Sequence, residues 1–112
     1  MAQKRELERK ALVYYLKIFE QDSDELLGRL GDITEKGFLL ISDKGLPVEK
    51  EFDLRMKLPD TYPDEDEIEF IAESVWSQKD VNPDFYATGF KITGISSEAK
   101  QTISELIDLI GL

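Results

Sequence analysis

The sequence predicts an all-β domain with a terminal helix: a six-stranded antiparallel β-barrel followed by a C-terminal α-helix. Two observations predict this class. Six short segments rich in β-branched, aromatic or alternating apolar residues are separated by connections of hairpin length. The last segment, 96–110, changes to helical periodicity. With 112 residues, of which 41% are apolar, the chain is expected to form one domain, 1–112, around a single core.

The first three strands are predicted at 11–19, 26–33 and 38–41. Aromatic and β-branched residues dominate the first strand, and the polar cluster 21–25 ends it as a hairpin loop. In the second strand, Gly28 and Gly31 indicate strong curvature or a bulge, as a barrel requires. The third strand follows a turn at 35–37. It is a nearly continuous apolar run, which is typical of a strand covered on both faces.

The other three strands are predicted at 51–58, 68–76 and 85–93, so that the barrel occupies 11–93. Apolar and charged residues alternate in the fourth strand, which indicates one buried and one solvated face. The turn 44–47 precedes it. The acidic connection 59–67 lacks the alternating Asp/Asn spacing and central glycine of an EF-hand loop. We therefore expect a solvated loop there, and the sequence predicts no metal site.

An apolar stripe at helical spacing predicts the C-terminal helix, 96–110. Its members are Ala99, Ile103, Leu106, Ile107 and Ile110. Ser96 or Ser97 can cap the start of the helix, and Gly111 can end it. The stripe requires a surface that covers it. The mouth of the barrel would provide one, and so would another subunit.

The composition excludes several function classes. The chain contains no cysteine and no histidine, so it has no thiolate nucleophile or disulfide and lacks the commonest metal ligand and general base. A non-enzymatic role is therefore expected. No secretory signal and no apolar window long enough for a membrane helix is recognisable. A cytoplasmic location without membrane insertion is the expectation.

The charge is distributed unevenly along the chain. Residues 1–17 contain five basic and two acidic side chains, a net charge of +3, whereas the remaining 95 residues contain nine basic and 22 acidic ones, a net charge of −13. Most of the surface would repel a long polyanion, so binding of DNA or RNA is disfavoured. A small dianion that fits within one basic patch remains compatible with this distribution.

Two motifs carry the functional hypothesis. Arg5-x-x-x-Arg9 lies just before the first strand, and Asp32-x-Thr34-x-x-Gly37 surrounds the turn between the second and third strands. Each has a structural alternative. The arginines could be solvated surface charges, and Asp32 and Thr34 are good turn formers, because their side chains bond to nearby backbone.

Taken in this order on the strand pattern, the two motifs resemble the ligand signature of PilZ domains, the bacterial receptors for cyclic di-GMP. The resemblance extends over nearly the whole chain. It includes the stretch 27–40, the Ser74-Val75-Trp76 segment of a late strand, Thr88-Gly89-Phe90 of the last strand and the helix that follows. It implies a PilZ-type barrel, a role in second-messenger signalling and no cofactor, with cyclic di-GMP as the ligand.

The resemblance also implies which residues contact the nucleotide: Arg5, Arg9, Asp32, Thr34 and Gly37, with Lys4 and Lys10 at the periphery. Thr34 replaces the more usual serine and keeps the hydroxyl. A basic residue just before the first arginine favours two stacked nucleotides in the family. Here that residue is Lys4, which leaves one or two nucleotides open. Residues 1–10 would form a flexible arm that binds the ligand.

The chemistry of these side chains suits the ligand. A guanidinium group makes forked contacts with phosphate oxygens or with guanine O6 and N7. Asp32 can accept hydrogen bonds from guanine N1–H and the exocyclic amine, and Thr34 offers a hydroxyl. Gly37 is expected to permit a positive φ and a close approach of the ligand. Trp76 is expected to be a core or rim aromatic rather than a stacking platform.

The leading hypothesis is a cyclic di-GMP effector whose N-terminal arm orders over the nucleotide and signals to a partner protein. If the 112 residues are the whole protein, no output domain is attached, so the signal must pass through an unidentified effector. The alternative is a nucleotide-independent, PilZ-like adaptor for motility or pilus machinery. Homodimer formation is left open by the sequence.

Overall fold

A computed structural model of the protein describes residues 16–59 and 66–110, with the side chains of the last two of these excepted. Its elements are the strands β1 (Lys17–Glu20), β2 (Leu26–Ile33), β3 (Gly37–Ser42), β4 (Glu51–Lys57), β5 (Glu67–Lys79) and β6 (Tyr86–Gly94), followed by the helix α1 (Ser97–Ile110). Residues 11–15 of the predicted first strand and most of the acidic loop 59–67 lie outside the described residues.

The six strands form a closed barrel in the order β1-β2-β3-β6-β5-β4, in which every neighbouring pair is antiparallel. Pairing of β1 with β4 closes the barrel. The predicted fold class is confirmed. The main difference is that β5 continues to Lys79, three residues beyond the prediction. Its polar end pairs with β6, where Lys79 lies opposite Tyr86. Backbone hydrogen bonds extend the strand there although the apolar pattern has ended.

Alternate side chains of the strands fill the barrel with a single core. Within it, Phe38 is stacked on Phe90 at 4.9 Å between ring centroids and lies edge-on to Phe70 at 5.6 Å. The prediction that the third strand is covered on both faces is wrong. Only its inward residues are buried, whereas the outward residues Leu39 and Ile41 are half-buried. The outer face of β3 is therefore apolar and accessible.

Helix α1 packs on the core of the barrel, so the barrel itself covers most of the apolar stripe. Ala99, Ile103 and Leu106 are buried in that core, and Ile107 packs against it half-buried. Ser96 caps the helix, since its Oγ accepts a hydrogen bond from the Ala99 N–H at 3.1 Å. The predicted end at Gly111 lies outside the described residues. Within 16–59 and 66–110, no helix combines the length and apolar character that crossing a membrane would need.

A β-bulge in β2 sets which side chains face outward near the turn to β3. The register shifts between Leu30 and Asp32, so Gly31 is an extra residue relative to β3. Leu30 and Ile33 are consequently both buried although they are three positions apart, and Asp32 points outward. The bulge that the glycines predict is thus present.

Gly37 allows β3 and β6 to approach closely. A Cβ atom at this position would collide with the backbone carbonyl oxygen of Phe90, which cannot move without displacing β6. The expected positive φ is absent, because the backbone of Gly37 lies outside the left-handed region. The need for glycine therefore comes from the neighbouring strand and not from the turn conformation.

Replacing Ile103 with alanine should destabilise the protein by about 2–5 kcal/mol, because it leaves a cavity between helix and barrel. Ile103 is 1% exposed. Urea unfolding followed by circular dichroism would measure the loss. Val81→Ala is the control: this side chain is fully exposed, so a change of about 0.5 kcal/mol or less is expected. Equal effects of the two substitutions would contradict the packing of α1.

Replacing Gly37 with alanine should lower the free energy of unfolding by about 1–3 kcal/mol, because the methyl group overpacks a rigid backbone contact. Gly94→Ala is a matched control, since the nearest atoms to its Cβ belong to the Ile71 side chain, at 3.3 Å. Chemical denaturation of both variants gives the comparison. A Gly37→Ala protein as stable as the wild type would exclude the close approach of Phe90.

Candidate functional site

An open groove of about 510 Å³ crosses the outer face of the barrel, from the β2–β3 turn to β5. Four consecutive strands of the barrel contribute to it. The residues that line it include Asp32, Thr34, Lys36, Gly37, Leu39, Val75, Trp76, Gly89 and Lys91. The structure therefore brings together all three residues of the predicted Asp32-x-Thr34-x-x-Gly37 motif and adds side chains from β5 and β6.

The groove is organised in rows across the strands. In the first row, Asp32 of β2 pairs with Leu39 of β3, and Leu39 pairs with Gly89 of β6. Gly89 in turn pairs with Trp76 of β5. A carboxylate and an indole thus stand at opposite ends of one row, with a half-buried leucine and a glycine between them. Neighbouring strands are about 4.8 Å apart, so the row extends for about 14 Å.

Trp76 lies directly over the backbone of Gly89, where any Cβ atom would collide with the indole ring. A register shift between Ser74 and Trp76 makes Val75 an extra residue, and both Val75 and Trp76 are exposed as a result. Trp76 is 42% exposed. It is therefore a rim aromatic, as predicted, and the exposed part of its ring lines the groove.

Asp32 is exposed at the groove end of β2. Its Oδ1 accepts a hydrogen bond from the Ile33 N–H at 2.8 Å. No ion pair or further hydrogen bond engages this carboxylate within the described part of the chain. The bond to Ile33 orients the side chain, and the other oxygen can accept hydrogen bonds from a ligand.

The Thr34 hydroxyl closes the β2–β3 turn. It accepts hydrogen bonds from the N–H groups of Lys36 and Gly37, at 3.3 and 3.2 Å, and lies 3.3 Å from the Gly37 carbonyl, to which it can donate. A backbone bond from Thr34 N–H to the same carbonyl, 2.8 Å long, completes the turn. The turn-forming interpretation of Thr34 is thus correct for the structure without ligand.

Further contacts hold the turn against the rest of the domain. The Ile92 N–H donates to the Lys36 carbonyl at 2.9 Å, which ties the turn to the backbone of β6. On the other side, the Ser104 hydroxyl of α1 donates to Glu35 Oε1 at 2.7 Å. The predicted site residues therefore lie on a segment with contacts to both the barrel and the helix.

Arg5, Arg9, Lys4 and Lys10 lie outside the described residues, so the arm remains a prediction. The described chain begins at Leu16, whose carbonyl accepts a hydrogen bond from the Leu30 N–H at 2.9 Å. Lys17 of β1 pairs with Arg29 of β2, and the two strands are antiparallel. Moving back along the chain from Lys17 to Leu16 therefore leads along β2 from Arg29 towards Asp32. The chain thus enters the barrel two residues along β2 from the groove.

Sequence reasoning missed several groove residues: Lys36, Leu39, Val75 and Lys91. It assigned no site role to Trp76 and Gly89. Two adjacent apolar residues, Val75 and Trp76, followed by polar ones, were the available signal for a bulge with outward side chains. The lysines give no such signal, because only the register of β3 with β6 brings them together.

The described residues hold a second pocket but no metal cluster. The pocket, about 450 Å³, lies near Leu26, Ile41 and Phe85 and contains none of the predicted site residues. In residues 16–59 and 66–110, no group of three or more carboxylate side chains is placed to hold a metal ion. Residues 60–65 of the acidic loop, for which the sequence predicts no metal site, lie outside the described residues.

Comparison with known structures supports the fold assignment. The Bacillus subtilis inhibitor of motility (MotI/DgrA) superposes with a TM-score of 0.66 at 16% identity, over 83% of this chain and 44% of that protein. The Borreliella burgdorferi PlzA protein, solved in complex with c-di-GMP, superposes with a TM-score of 0.58 at 10% identity, over 97% of this chain and 49% of that protein. The chain thus spans about half the length of each neighbour.

No curated protein has significant sequence similarity to the chain. A family model, in contrast, matches almost all of it: the model of the PilZ domain aligns with residues 3–109. This match includes both predicted motifs, the six strands of the barrel and nearly all of the helix. The chain belongs to the PilZ domain family.

Proposed function

We propose that the protein is a cyclic di-GMP receptor, without enzymatic activity, that binds the nucleotide in the groove on the outer face of its barrel. One observation carries the proposal. The register of β2, β3, β6 and β5 places Asp32, the motif turn and Trp76 along a single open groove. A family relationship supports it, since PilZ domains are known as receptors for this nucleotide.

Asp32 and Trp76 suit the two chemical faces of a guanine base. The carboxylate of Asp32 accepts hydrogen bonds from the guanine N1–H and exocyclic amine, which no cationic side chain could do. Contrary to the expectation from the sequence, we give Trp76 a stacking role as well, because the exposed part of its ring lines the groove and offers a surface for a base. The half-buried Leu39 lies between Asp32 and the Trp76–Gly89 contact and offers the base an apolar surface.

In this proposal Arg5 and Arg9 provide forked contacts with the phosphate oxygens or with a guanine edge. Lys4 and Lys10 remain predicted peripheral contacts. Arg9 is seven residues before Leu16, and seven extended residues reach about 24 Å. The start of β1 lies near the groove end of β2, so this length is sufficient to bring Arg9 over the groove. The arm would order on binding and alter the surface offered to an effector protein.

The two structural neighbours agree with this assignment at the level of the fold. PlzA was solved with c-di-GMP bound, and MotI is an inhibitor of motility. Because their identity to this chain is low, the ligand and the role of these proteins cannot be assigned to it from the structural similarity alone. The proposal for this protein therefore depends on its own groove and motifs.

One observation favours the second candidate, a nucleotide-independent adaptor for motility or pilus machinery. The Thr34 hydroxyl is already engaged by the turn, so this motif residue has a structural role without any ligand. Asp32 favours the receptor, because one oxygen of its carboxylate accepts no hydrogen bond from the described residues of the barrel and can accept one from a ligand.

The Arg5→Ala/Arg9→Ala variant should bind cyclic di-GMP about 100-fold more weakly or not at all, because it loses two charge-assisted contacts. Isothermal titration calorimetry measures the affinity, and the fitted ratio distinguishes one nucleotide from two. The Arg29→Ala/Lys44→Ala variant removes the same charge from exposed positions outside the groove. It should bind like the wild type. Retained affinity in the arm variant would reject the role of Arg5 and Arg9, and absence of binding by the wild type would reject the receptor proposal.

The Asp32→Ala variant should bind cyclic di-GMP at least about tenfold more weakly than the wild type, since the guanine edge loses its hydrogen-bond acceptor. Its melting temperature should change little, because the side chain is exposed. The single tryptophan of the chain lies in the groove, so quenching of its fluorescence reports the titration. Asp53→Ala, an exposed carboxylate on β4, is the control for charge. Equal affinities for the two variants would show that Asp32 does not contact the nucleotide, whereas absence of binding by the wild type would favour the adaptor.

A further inference from the structure

We propose that Lys36 and Lys91 form a phosphate-binding pair in the groove, the barrel's own contribution to holding an anionic ligand, separate from the arginine arm. The inference rests on the proposed function and adds two contacts that neither motif contains. Both lysines are exposed, and both line the groove.

The register of β3 with β6 brings the two lysines together. Lys91 is the cross-strand partner of Gly37, and Lys36 directly precedes Gly37. The backbone bond from Ile92 N–H to the Lys36 carbonyl, 2.9 Å long, holds the two segments in this arrangement. The lysines therefore flank Gly37, where β3 and β6 approach closely.

Neither lysine forms an ion pair with a nearby carboxylate among residues 16–59 and 66–110. The ion pairs found there involve Arg55 and Lys57, not the lysines of the groove. Glu35, next to Lys36 in sequence, accepts a hydrogen bond from Ser104. Glu73 is the cross-strand partner of Lys91 but forms no ion pair with it. Both ammonium groups can therefore turn towards an anion in the groove.

The lysines and the Asp32–Trp76 row occupy neighbouring positions that match the two parts of a nucleotide. Gly37 and Lys91 lie two residues along their strands from Leu39 and Gly89, a displacement of about 7 Å. A base lying along the row from Asp32 to Trp76 would therefore have its phosphate beside the lysines. An ammonium group donates three hydrogen bonds and binds phosphate as a point charge, without the forked geometry of arginine.

Solvated lysines are common on protein surfaces and contribute little, so the test compares two pairs of equal charge. The Lys36→Gln/Lys91→Gln variant removes the groove pair. Lys44→Gln/Lys100→Gln removes two exposed lysines outside it. All four positions are exposed, so both variants should fold, which circular dichroism checks. Cyclic di-GMP is titrated into each protein and into the wild type by calorimetry, at low and at high salt.

We expect about tenfold weaker binding for the groove variant and an affinity within about twofold of the wild type for the control. The loss should shrink at high salt, because screening already weakens the contact in the wild type. The Lys36→Arg/Lys91→Arg variant should keep the affinity.

Three outcomes would overturn the inference. Equal affinities of the groove variant and the wild type would reject the lysine pair and leave the receptor proposal intact. Equal losses in the groove and control variants would assign the effect to net charge alone. Absence of any binding by the wild type would reject the receptor proposal and, with it, the lysine pair.

Discussion

Closure of a six-stranded barrel is the constraint on which the rest of the structure depends. Strands in so small a barrel must bend sharply, and their register shifts at several bulges, among them Gly31 in β2 and Val75 in β5. Each bulge shifts the alternation of inward and outward side chains by one position. As a result Asp32 faces outward beside the buried Ile33, and Val75 and Trp76 are both exposed. The elements that close the core also build the groove.

The groove combines several kinds of binding group. It has an acceptor at Asp32, an aromatic ring at Trp76 and two lysines that form no ion pair within the described part of the chain. This separation of acceptor and cations along one face suits a ligand with both a hydrogen-bonding base and a phosphate. The contact between Glu35 and Ser104 joins the motif turn to α1.

Much of the fold was predictable because its signals are local. Period-two alternation predicted β4, the bounds of β2 were predicted as observed, and the stripe of Ala99, Ile103 and Leu106 predicted the packed face of α1. The predictions failed where the apolar pattern of the sequence does not reflect the pairing and the surroundings of a strand. The polar end of β5 is a strand because β6 pairs with it, and the apolar outer face of β3 suggested burial that the structure does not provide.

The sequence by itself determined the barrel class, the terminal helix and the Asp32-x-Thr34-x-x-Gly37 turn, because periodicity and turn chemistry act over a few residues. Only the tertiary structure decided that Trp76 lies over Gly89 and that Lys36 and Lys91 are neighbours. It also showed why position 37 requires glycine: the Phe90 carbonyl excludes a side chain there, whereas the sequence had suggested a positive φ. These features depend on the register between strands that are distant in sequence, and a one-residue slip in that register would reverse the face on which each side chain lies.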